Sequence, residues 1–361
     1  MDLFERVAHE DYEQVVFCHD RPTGLRAVIA VHSTMLGPSL GGTRYHPYPS
    51  EDAAVEDVLR LSKGMTYKSA VAGLDLGGGK AVIIGDPHSK TEALLRAYGR
   101  FVHSLGGRYI TAEDVGTTQA DMDLILRETP FVTGVSQSLG GSGDPSAATA
   151  RGVLFAMRAV ASFLWGSTSL ENRQVVVSGV GKVGYSLVRH LVEERAAVTV
   201  ADVQPAAVER ASSHFDVAVV PPEKAHTVEC DIFSPCAMGG VLTPLTIPEL
   251  KCAAVVGSAN NQLLDDGCAT LLEEAGVLYA PDYVVNSGGI INVAEELRGY
   301  DFSRAEGEIR RIYDTTAAVL ATAAAEGVTT LTAANRLAER RLEHVGGVNR
   351  IRIGTPPVRR R

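Results

Sequence analysis

The sequence predicts an α/β protein of two domains, the second a doubly wound parallel sheet. Three observations carry that expectation. A chain of 361 residues is long enough to bury two separate cores. Between residues 174 and 280 short apolar β-type runs alternate with helical ones, the pattern of a parallel sheet covered by helices on both faces. Residues 136–145, Ser-Gln-Ser-Leu-Gly-Gly-Ser-Gly-Asp-Pro, are polar and glycine-rich and mark a junction. The expected domains are therefore 1–133 together with 331–361, and 134–330.

Taken in order, residues 28–31, 81–84 and 109–111 are short β-type runs and read as strands. Ser50 followed by Glu51 and Asp52 suits a helix start, because an oxygen cap and early acids satisfy and complement its free N–H groups. Ala54, Val55, Val58, Leu59 and Leu61 then recur on one helical face, and Leu94, Leu95, Tyr98, Phe101, Val102 and Leu105 repeat the pattern. Past the junction, Ser146 is expected to cap a helix reaching about residue 164. There follow strand 174–178, helix 182–194, strand 197–201, helix 205–214, and strands 231–233, 253–256 and 277–280. Two long amphipathic helices, near 303–325 and 330–344, close the chain, and the last is expected to pack back onto the first domain.

Composition removes several classes of function. A formal charge of -9 argues against a nucleic-acid surface, which needs a basic face. No run reads as long and apolar enough to span a bilayer, and Met1-Asp-Leu-Phe-Glu5 does not lead into a signal peptide. The five cysteines are odd in number and scattered without a Cys-x-x-Cys pair, so disulfide scaffolding and a zinc ribbon are not expected. Reduced thiols and a cytoplasmic setting fit best. No two histidines stand at i and i+4, so a zinc-protease helix is absent and no metal is expected. Arg359-Arg-Arg361 reads as a solvated tail.

One glycine turn stands out. Gly179-Val-Gly181-Lys-Val-Gly184 follows the strand at 174–178 and opens a helix with Leu187, Val188 and Leu191 on one face. Gly179 permits the tight turn, Gly181 lets the backbone approach a pyrophosphate, and Gly184 lets helix and strand pack closely. Asp202 ends the next strand, 18 residues past Gly184, where an acid accepts hydrogen bonds from an adenosine ribose. With no Arg or Lys in the seven positions after it, NAD is favoured over NADP. This context weighs against an unrelated glycine turn. Lys182 is expected to face solvent. Position 176 is Val and position 74 is Leu where a P-loop needs glycine, so neither Gly-Lys run is one.

Two lysines lie in apolar, glycine-rich company: Lys68 in Gly64-Met-Thr-Tyr-Lys68, and Lys80 after Gly77-Gly-Gly79. Most lysines are surface or ion-pairing residues. Apolar surroundings lower a lysine pKa, however, and two ammonium groups in one cleft disfavour each other's charge, leaving one to act as a base. The stem of Lys80 is expected at the lip of a sheet, and Gly41-Gly42 provides a second close backbone approach. Asp114 follows a predicted strand, where it serves equally as a catalytic carboxylate or as a cap on the next helix. Glu113 reads either as a solvated acid or as an ion-pair partner. The segments 257–261 and 281–290 follow predicted strands on the ligand side of the second sheet, and their asparagines serve equally as turn formers.

Together these segments resemble the family of leucine, valine and phenylalanine dehydrogenases over nearly the whole chain. The motifs are Leu36-Gly-Pro-Ser-Leu-Gly-Gly-Thr-Arg44, Gly64-Met-Thr-Tyr-Lys68, Leu74-Asp-Leu-Gly-Gly-Gly-Lys80, Ala112-Glu-Asp-Val-Gly-Thr-Thr118, Gly257-Ser-Ala-Asn-Asn-Gln262 and Ala280-Pro-Asp-Tyr283. The resemblance implies an N-terminal substrate and oligomerisation domain and a Rossmann-type NAD domain. It implies that Lys68 holds the substrate carboxylate, that Lys80 is the general base and that Asp114 assists proton transfer. Leu40, Gly41, Gly42, Met65, Ala112, Thr133, Asn261, Ile290 and Val293 would complete the substrate site. Thr149, Gly179, Val180, Gly181, Lys182, Val183, Gly184, Asp202, Cys236, Ala237, Ala259, Asn260 and Asn286 would line the NAD site.

The implied reaction is reversible oxidative deamination of an amino acid to a 2-oxo acid and ammonia. Hydride leaves Cα for the nicotinamide, and Lys80 activates the water that attacks the resulting iminium. Leu40, Ala112, Ile290 and Val293 carry no charge, which would strand a glutamate side chain and favours leucine, valine or isoleucine. Ile290 is one methylene larger than the expected Val, a difference of ~1–3 kcal/mol at most. Ser287, Lys182, Gly184, Tyr45 and His46 depart from the family pattern. A phenylalanine dehydrogenase is the nearest alternative. A non-catalytic NAD-binding protein is a more distant one, since binding alone needs neither lysine. A homo-oligomer, commonly an octamer, is implied.

Overall fold

Strands form in more of the first domain than its apolar runs mark. The computed structural model describes residues 3–350. A short helix α1 (Leu3–His9) precedes five strands: β1 (Gln14–Asp20), β2 (Leu25–Ser33), β3 (Ser39–His46), β4 (Gly77–Ile84) and β5 (Tyr109–Glu113). They pair in the order β1-β2-β4-β3-β5, with β3 parallel to both of its neighbours. Helices α2 (Glu51–Val71), α3 (Glu92–Ser104) and α4 (Gln119–Leu126) complete the domain. Ser50 caps α2, its side chain accepting from Ala53 N at 3.1 Å.

Glycine explains the strands not anticipated. β3 and the first half of β4 lack the side chains that signal a strand, yet both are buried along nearly their whole length. A Cβ on Gly41 would lie 1.7 Å from Gly79 O, so the two backbones approach as only glycine allows. Lys80 consequently sits inside β4, opposite Ala30 of β2, and not at the sheet lip. The remaining unanticipated strand, β1, is an edge strand with one fully buried residue, Cys18, and hence little apolar pattern.

The second domain follows its expected rhythm. It comprises α5 (Ser146–Trp165), β6 (Gln174–Ser178), α6 (Lys182–Glu193), β7 (Ala197–Ala201), α7 (Pro205–His214), β8 (Ala218–Val219), β9 (Cys230–Pro235), β10 (Cys252–Val255), α8 (Gly267–Glu274), β11 (Leu278–Tyr279), α9 (Asp282–Val285), α10 (Gly288–Ala294) and α11 (Phe302–Glu326). The sheet is parallel throughout, in the order β11-β10-β9-β6-β7-β8. Strand order reverses between β6 and β9, and the crevice at the carboxyl ends of these strands is where doubly wound folds take ligands. The stretch 281–290, expected as loop, is largely the two short helices α9 and α10.

Two expectations about α5 are corrected. Ser146 is its first helical residue and makes no cap; Asp144 Oδ1 accepts from Ser146 N at 2.9 Å instead. α5 is also long and apolar enough to cross a bilayer, against the reading that no run is. Its apolarity has another cause. Val153, Met157 and Val160 belong to the same buried cluster as Val175, Val177, Leu187 and Ile312, so α5 is the domain's core helix.

Helix α12 (Thr330–Gly346) packs against the first domain. Ala338 is buried with Leu36 and Ala70, and Tyr67 Oη donates to Glu339 Oε1 at 3.1 Å. Arg341 Nη2 donates to Gly73 O (3.0 Å), Leu74 O (3.3 Å) and Asp75 Oδ1 (2.8 Å). Residues 351–361, including Arg359-Arg-Arg361, lie outside the described residues. All five cysteines are free.

Candidate active site

A cleft of about 650 Å³ runs between the domains, and both Lys68 and Lys80 line it. Lys68 comes from the last turn of α2, Lys80 from β4, and Asp114 from the loop just after β5. The helix following that loop is capped by Thr118, whose hydroxyl accepts from Asp121 N. Asp114 is therefore not a helix cap. Its backbone N–H donates to Thr117 Oγ1 at 2.9 Å, and its carboxylate turns into the cleft.

Lys80 Nζ lies 2.9 Å from Asp114 Oδ2, with only 7% of Lys80 exposed. Arg44 Nε approaches the same oxygen at 3.4 Å, while Arg44 Nη1 is 2.8 Å from Asp57 Oδ2. Tyr48 Oη donates to that Asp57 oxygen at 2.6 Å. Burial raises the Asp114 carboxyl, but Lys80 and Arg44 outweigh it and hold the group below its ordinary value. Asp114 is an anion fixed between two cations.

Lys68 has no such partner. Its Nζ donates to the neutral Asn260 Oδ1 at 3.0 Å, across the cleft, and Asn260 Oδ1 also accepts from Asn286 Nδ2 at 2.8 Å. Burial pushes Lys68 down to about 8; Asp282 opposes this, and the charge of Lys80 adds to it. Asp282, in the second domain, accepts from Gln262 N at 2.9 Å. Burial lifts its carboxyl above the ordinary value, only partly countered by that N–H and by Lys68. The charge of Lys68 is thereby weakened.

Beside these charges lies an apolar wall. Leu40, Ile290 and Val293 form one buried cluster with Ile110 and Ala294, and Met65 packs against it. Ala112, Gly41 and Gly42 line the same cleft. Thr133 does not reach it: the residue is fully buried and its hydroxyl is 3.4 Å from Thr111 O, while neighbouring Gly134 lines the cleft.

On the second domain's side, Thr149, Lys182, Val183, Asn260, Asn261 and Asn286 line the cleft, which continues toward the glycine turn. Gly179 has φ +103°, and a Cβ there would lie 2.5 Å from Ala237 Cβ. A Cβ on Gly184 would lie 1.9 Å from Gly179 O, whereas at Gly181 it would meet nothing within 4 Å. The turn is thus packed behind and open in front. Cys236 N donates to Ser178 O at 2.7 Å and Ala259 N to Pro235 O at 3.0 Å, which sets both residues at the strand ends around the turn. The Asp202 oxygens accept from Val180 N (2.7 Å) and Gln204 N (2.8 Å). The residues fit a nicotinamide dinucleotide: a turn with an open backbone face, an acid at the second strand end, and a buried Asn286 Oδ1 without a hydrogen-bond partner, an acceptor suited to a carboxamide.

Several residues here escaped the sequence reading. Lys182 faces solvent as expected, and its Nζ also lies 2.8 Å from Asp144 Oδ2 in the interdomain segment, a partner the sequence did not mark. Arg210, the first basic residue after Asp202, donates to Val180 O at 2.9 Å and stacks on Tyr185. Glu296, in the short 3₁₀ turn that follows α10, is buried and accepts from Gly134 N, Ser142 N and Ser142 Oγ, tying that turn to residues 134–142. Arg44 and Asp282 stood within quoted motifs, but only their contacts distinguish them from surface charges.

The comparisons with known proteins agree with this geometry. Residues 12–131 match the model described as Glu/Leu/Phe/Val dehydrogenase, dimerisation domain. Residues 140–212 and 205–345 match that of Glutamate/Leucine/Phenylalanine/Valine dehydrogenase. The chain is 54% identical to leucine dehydrogenase of Geobacillus stearothermophilus over 344 residues, covering 95% of this chain and 94% of that one. It is also 54% identical to valine dehydrogenase of Streptomyces virginiae over 335 residues, covering 92% and 94%. The crystal structure of L-tryptophan dehydrogenase from Nostoc punctiforme superposes with a TM-score of 0.84 at 45% identity, covering 95% of this chain and 99% of that one. The chain belongs to the glutamate/leucine/phenylalanine/valine dehydrogenase family of oxidoreductases.

Proposed function

We propose that this protein catalyses the NAD-dependent, reversible oxidative deamination of branched-chain L-amino acids, namely leucine, valine and isoleucine, to 2-oxo acids and ammonia. The observation that carries this reading is an uncharged wall of Leu40, Ile290 and Val293 in the same cleft as the two lysines. An aliphatic side chain gains burial there, and a glutamate carboxylate would be stranded. The identity to leucine and valine dehydrogenases supports the same substrate class.

In this reading Lys68 holds the substrate carboxylate and Asn261 contacts the amino acid. A carboxylate beside Lys68 supplies the anionic partner it lacks and restores its charge. A nicotinamide held by the glycine turn, Asp202 and Asn286 would supply the acceptor for the hydride of Cα, and the substrate would become an iminium. Lys80 takes a proton from the attacking water, and the carbinolamine collapses with loss of ammonia. Asp114, kept ionised by Arg44, holds the ammonium that Lys80 becomes. Asp202 favours NAD, since a 2′-phosphate would meet its carboxylate.

A homo-oligomer built on the dimerisation domain, an octamer by family resemblance, and a cytoplasmic location complete the proposal; light scattering giving another mass would revise the assembly. The direct test follows reduced nicotinamide by absorbance over a panel of amino acids, with NAD and NADP in parallel. The highest kcat/KM is expected with branched-chain substrates and NAD. A preference for glutamate or an aromatic amino acid, or no turnover at all, would defeat the reading.

A further inference from the structure

Lys182 is the first residue of α6, directly after the open face of Gly181. Among the described residues of the second domain that line the cleft, it is the only cation. Its partner, Asp144, belongs to the segment joining the domains and uses its two oxygens differently. Oδ1 accepts from Ser146 N at 2.9 Å, at the start of α5, and Oδ2 meets Lys182 Nζ at 2.8 Å. The pair is exposed, with 73% of the Lys182 side chain and 49% of the Asp144 side chain open to water. An ion pair in water is weak and readily exchanged. Glu113, at the end of β5, lies within electrostatic reach of both groups.

We propose that Lys182 changes partner when cofactor binds, leaving Asp144 for the cofactor's pyrophosphate, so that filling the cofactor site unties the interdomain segment from α6. This rests on the cofactor reading above. Three features support it. Lys182 begins α6 directly after the open face of Gly181, so a diphosphate received at that helix N-terminus stands beside the ammonium and attracts it more strongly than one exposed carboxylate does. Asp144 remains anchored through Ser146 N after losing Lys182, so the exchange does not strand its charge in a buried place. With Glu113 and Asp144 both at this mouth, a diphosphate would otherwise meet only negative side chains there.

The exchange makes Asp144 a competitor of the cofactor, which gives the test its sign. NADH binding to the full-length protein is measured by fluorescence titration for the wild type, Lys182→Gln, Lys182→Arg, Asp144→Asn and the double variant. Asp144→Asn retains the oxygen that accepts from Ser146 N and removes only the competing charge. Lys182→Gln is expected to raise the Kd roughly tenfold, with Lys182→Arg recovering most of the loss. Asp144→Asn is expected to lower the Kd about threefold, and by less when Lys182 is already Gln. A pair acting as a purely structural clip would weaken binding from either side. Weaker or unchanged binding by Asp144→Asn, or unchanged binding by Lys182→Gln, would overturn the exchange while leaving the cofactor site standing. Failure of the wild type to bind NADH would instead overturn the cofactor reading, and the exchange with it. Melting temperatures of the variants, expected to match the wild type at such exposed positions, verify that all four are folded.

Discussion

Burial leaves the proton of Lys68 loosely held, and the amide oxygen of Asn260 to which it donates brings no opposing charge. The Lys68 pKa of about 8 has a consequence for binding. A carboxylate ligand needs the protonated lysine, and a depressed lysine loses that proton as pH rises through its lowered value. Affinity for a branched-chain 2-oxo acid, measured calorimetrically with NADH present, should therefore be flat below that pH and fall about tenfold per pH unit above it. Lys68→Arg, which stays charged, should remove the break even if it weakens binding throughout. A wild-type affinity independent of pH across this range would separate Lys68 from the carboxylate. Lys80→Ala answers a different question. Its partner Asp114 keeps Arg44 beside it, so the fold should survive. Turnover should fall by about 10²–10⁴-fold, the usual contribution of a positioned base. Full activity in a folded Lys80→Ala variant would remove the lysine from the proton steps. The lysines were legible in the sequence because glycine and apolar neighbours set them apart. That Lys68 has a weakened charge was not, because that depends on burial in a cleft whose other residues arrive from distant segments.

At the scale of elements, glycine both hides structure and permits it. Five of the six strands of the second sheet could be read because Val, Ile and Ala mark them; the two-residue edge strand β8 could not. β3 and the first half of β4 could not, because Gly41, Gly42 and Gly77-Gly-Gly79 give no β signal although the neighbouring backbones demand them. The same physics joins α5 to α10. A Cβ on Gly288 would lie 2.3 Å from Ala148 O, a backbone atom that cannot rotate away. Gly288→Ala should force these helices apart and cost ~1–3 kcal/mol by overpacking, read as a lower midpoint in urea denaturation. Because α10 also carries Ile290 and Val293 of the apolar wall, KM for branched-chain substrates should rise with the loss of stability. Unchanged stability would mean that the contact relaxes without moving either helix. Gly181→Ala, where a Cβ meets nothing, is the matched control and should leave stability nearly unaltered.

The whole molecule closes a circuit that neither terminus announces. The chain leaves the first domain at the interdomain segment, builds the second, and returns through α12 to α2, the helix that bears Lys68. An amphipathic last helix was legible in the sequence; the face it covers was not, because Leu36, Ala70 and Ala338 meet only in three dimensions. Arg341 is the clasp. It donates to the carbonyls of Gly73 and Leu74 and to Asp75, in the turn between Lys68 on α2 and Lys80 on β4. Losing it hands the exposed Gly73 carbonyl to water and leaves the part-buried Leu74 carbonyl short of a donor, at about 0.5–1.5 kcal/mol. If α12 belongs energetically to the first domain, as we propose, Arg341→Ala must act locally. Amide hydrogen exchange should quicken over residues 70–76 and along α12, while β6 and β9 in the centre of the second sheet keep wild-type protection. Equal loss of protection in both domains would show that α12 serves the whole chain as one cooperative unit, and the division at residue 330 would have to be redrawn.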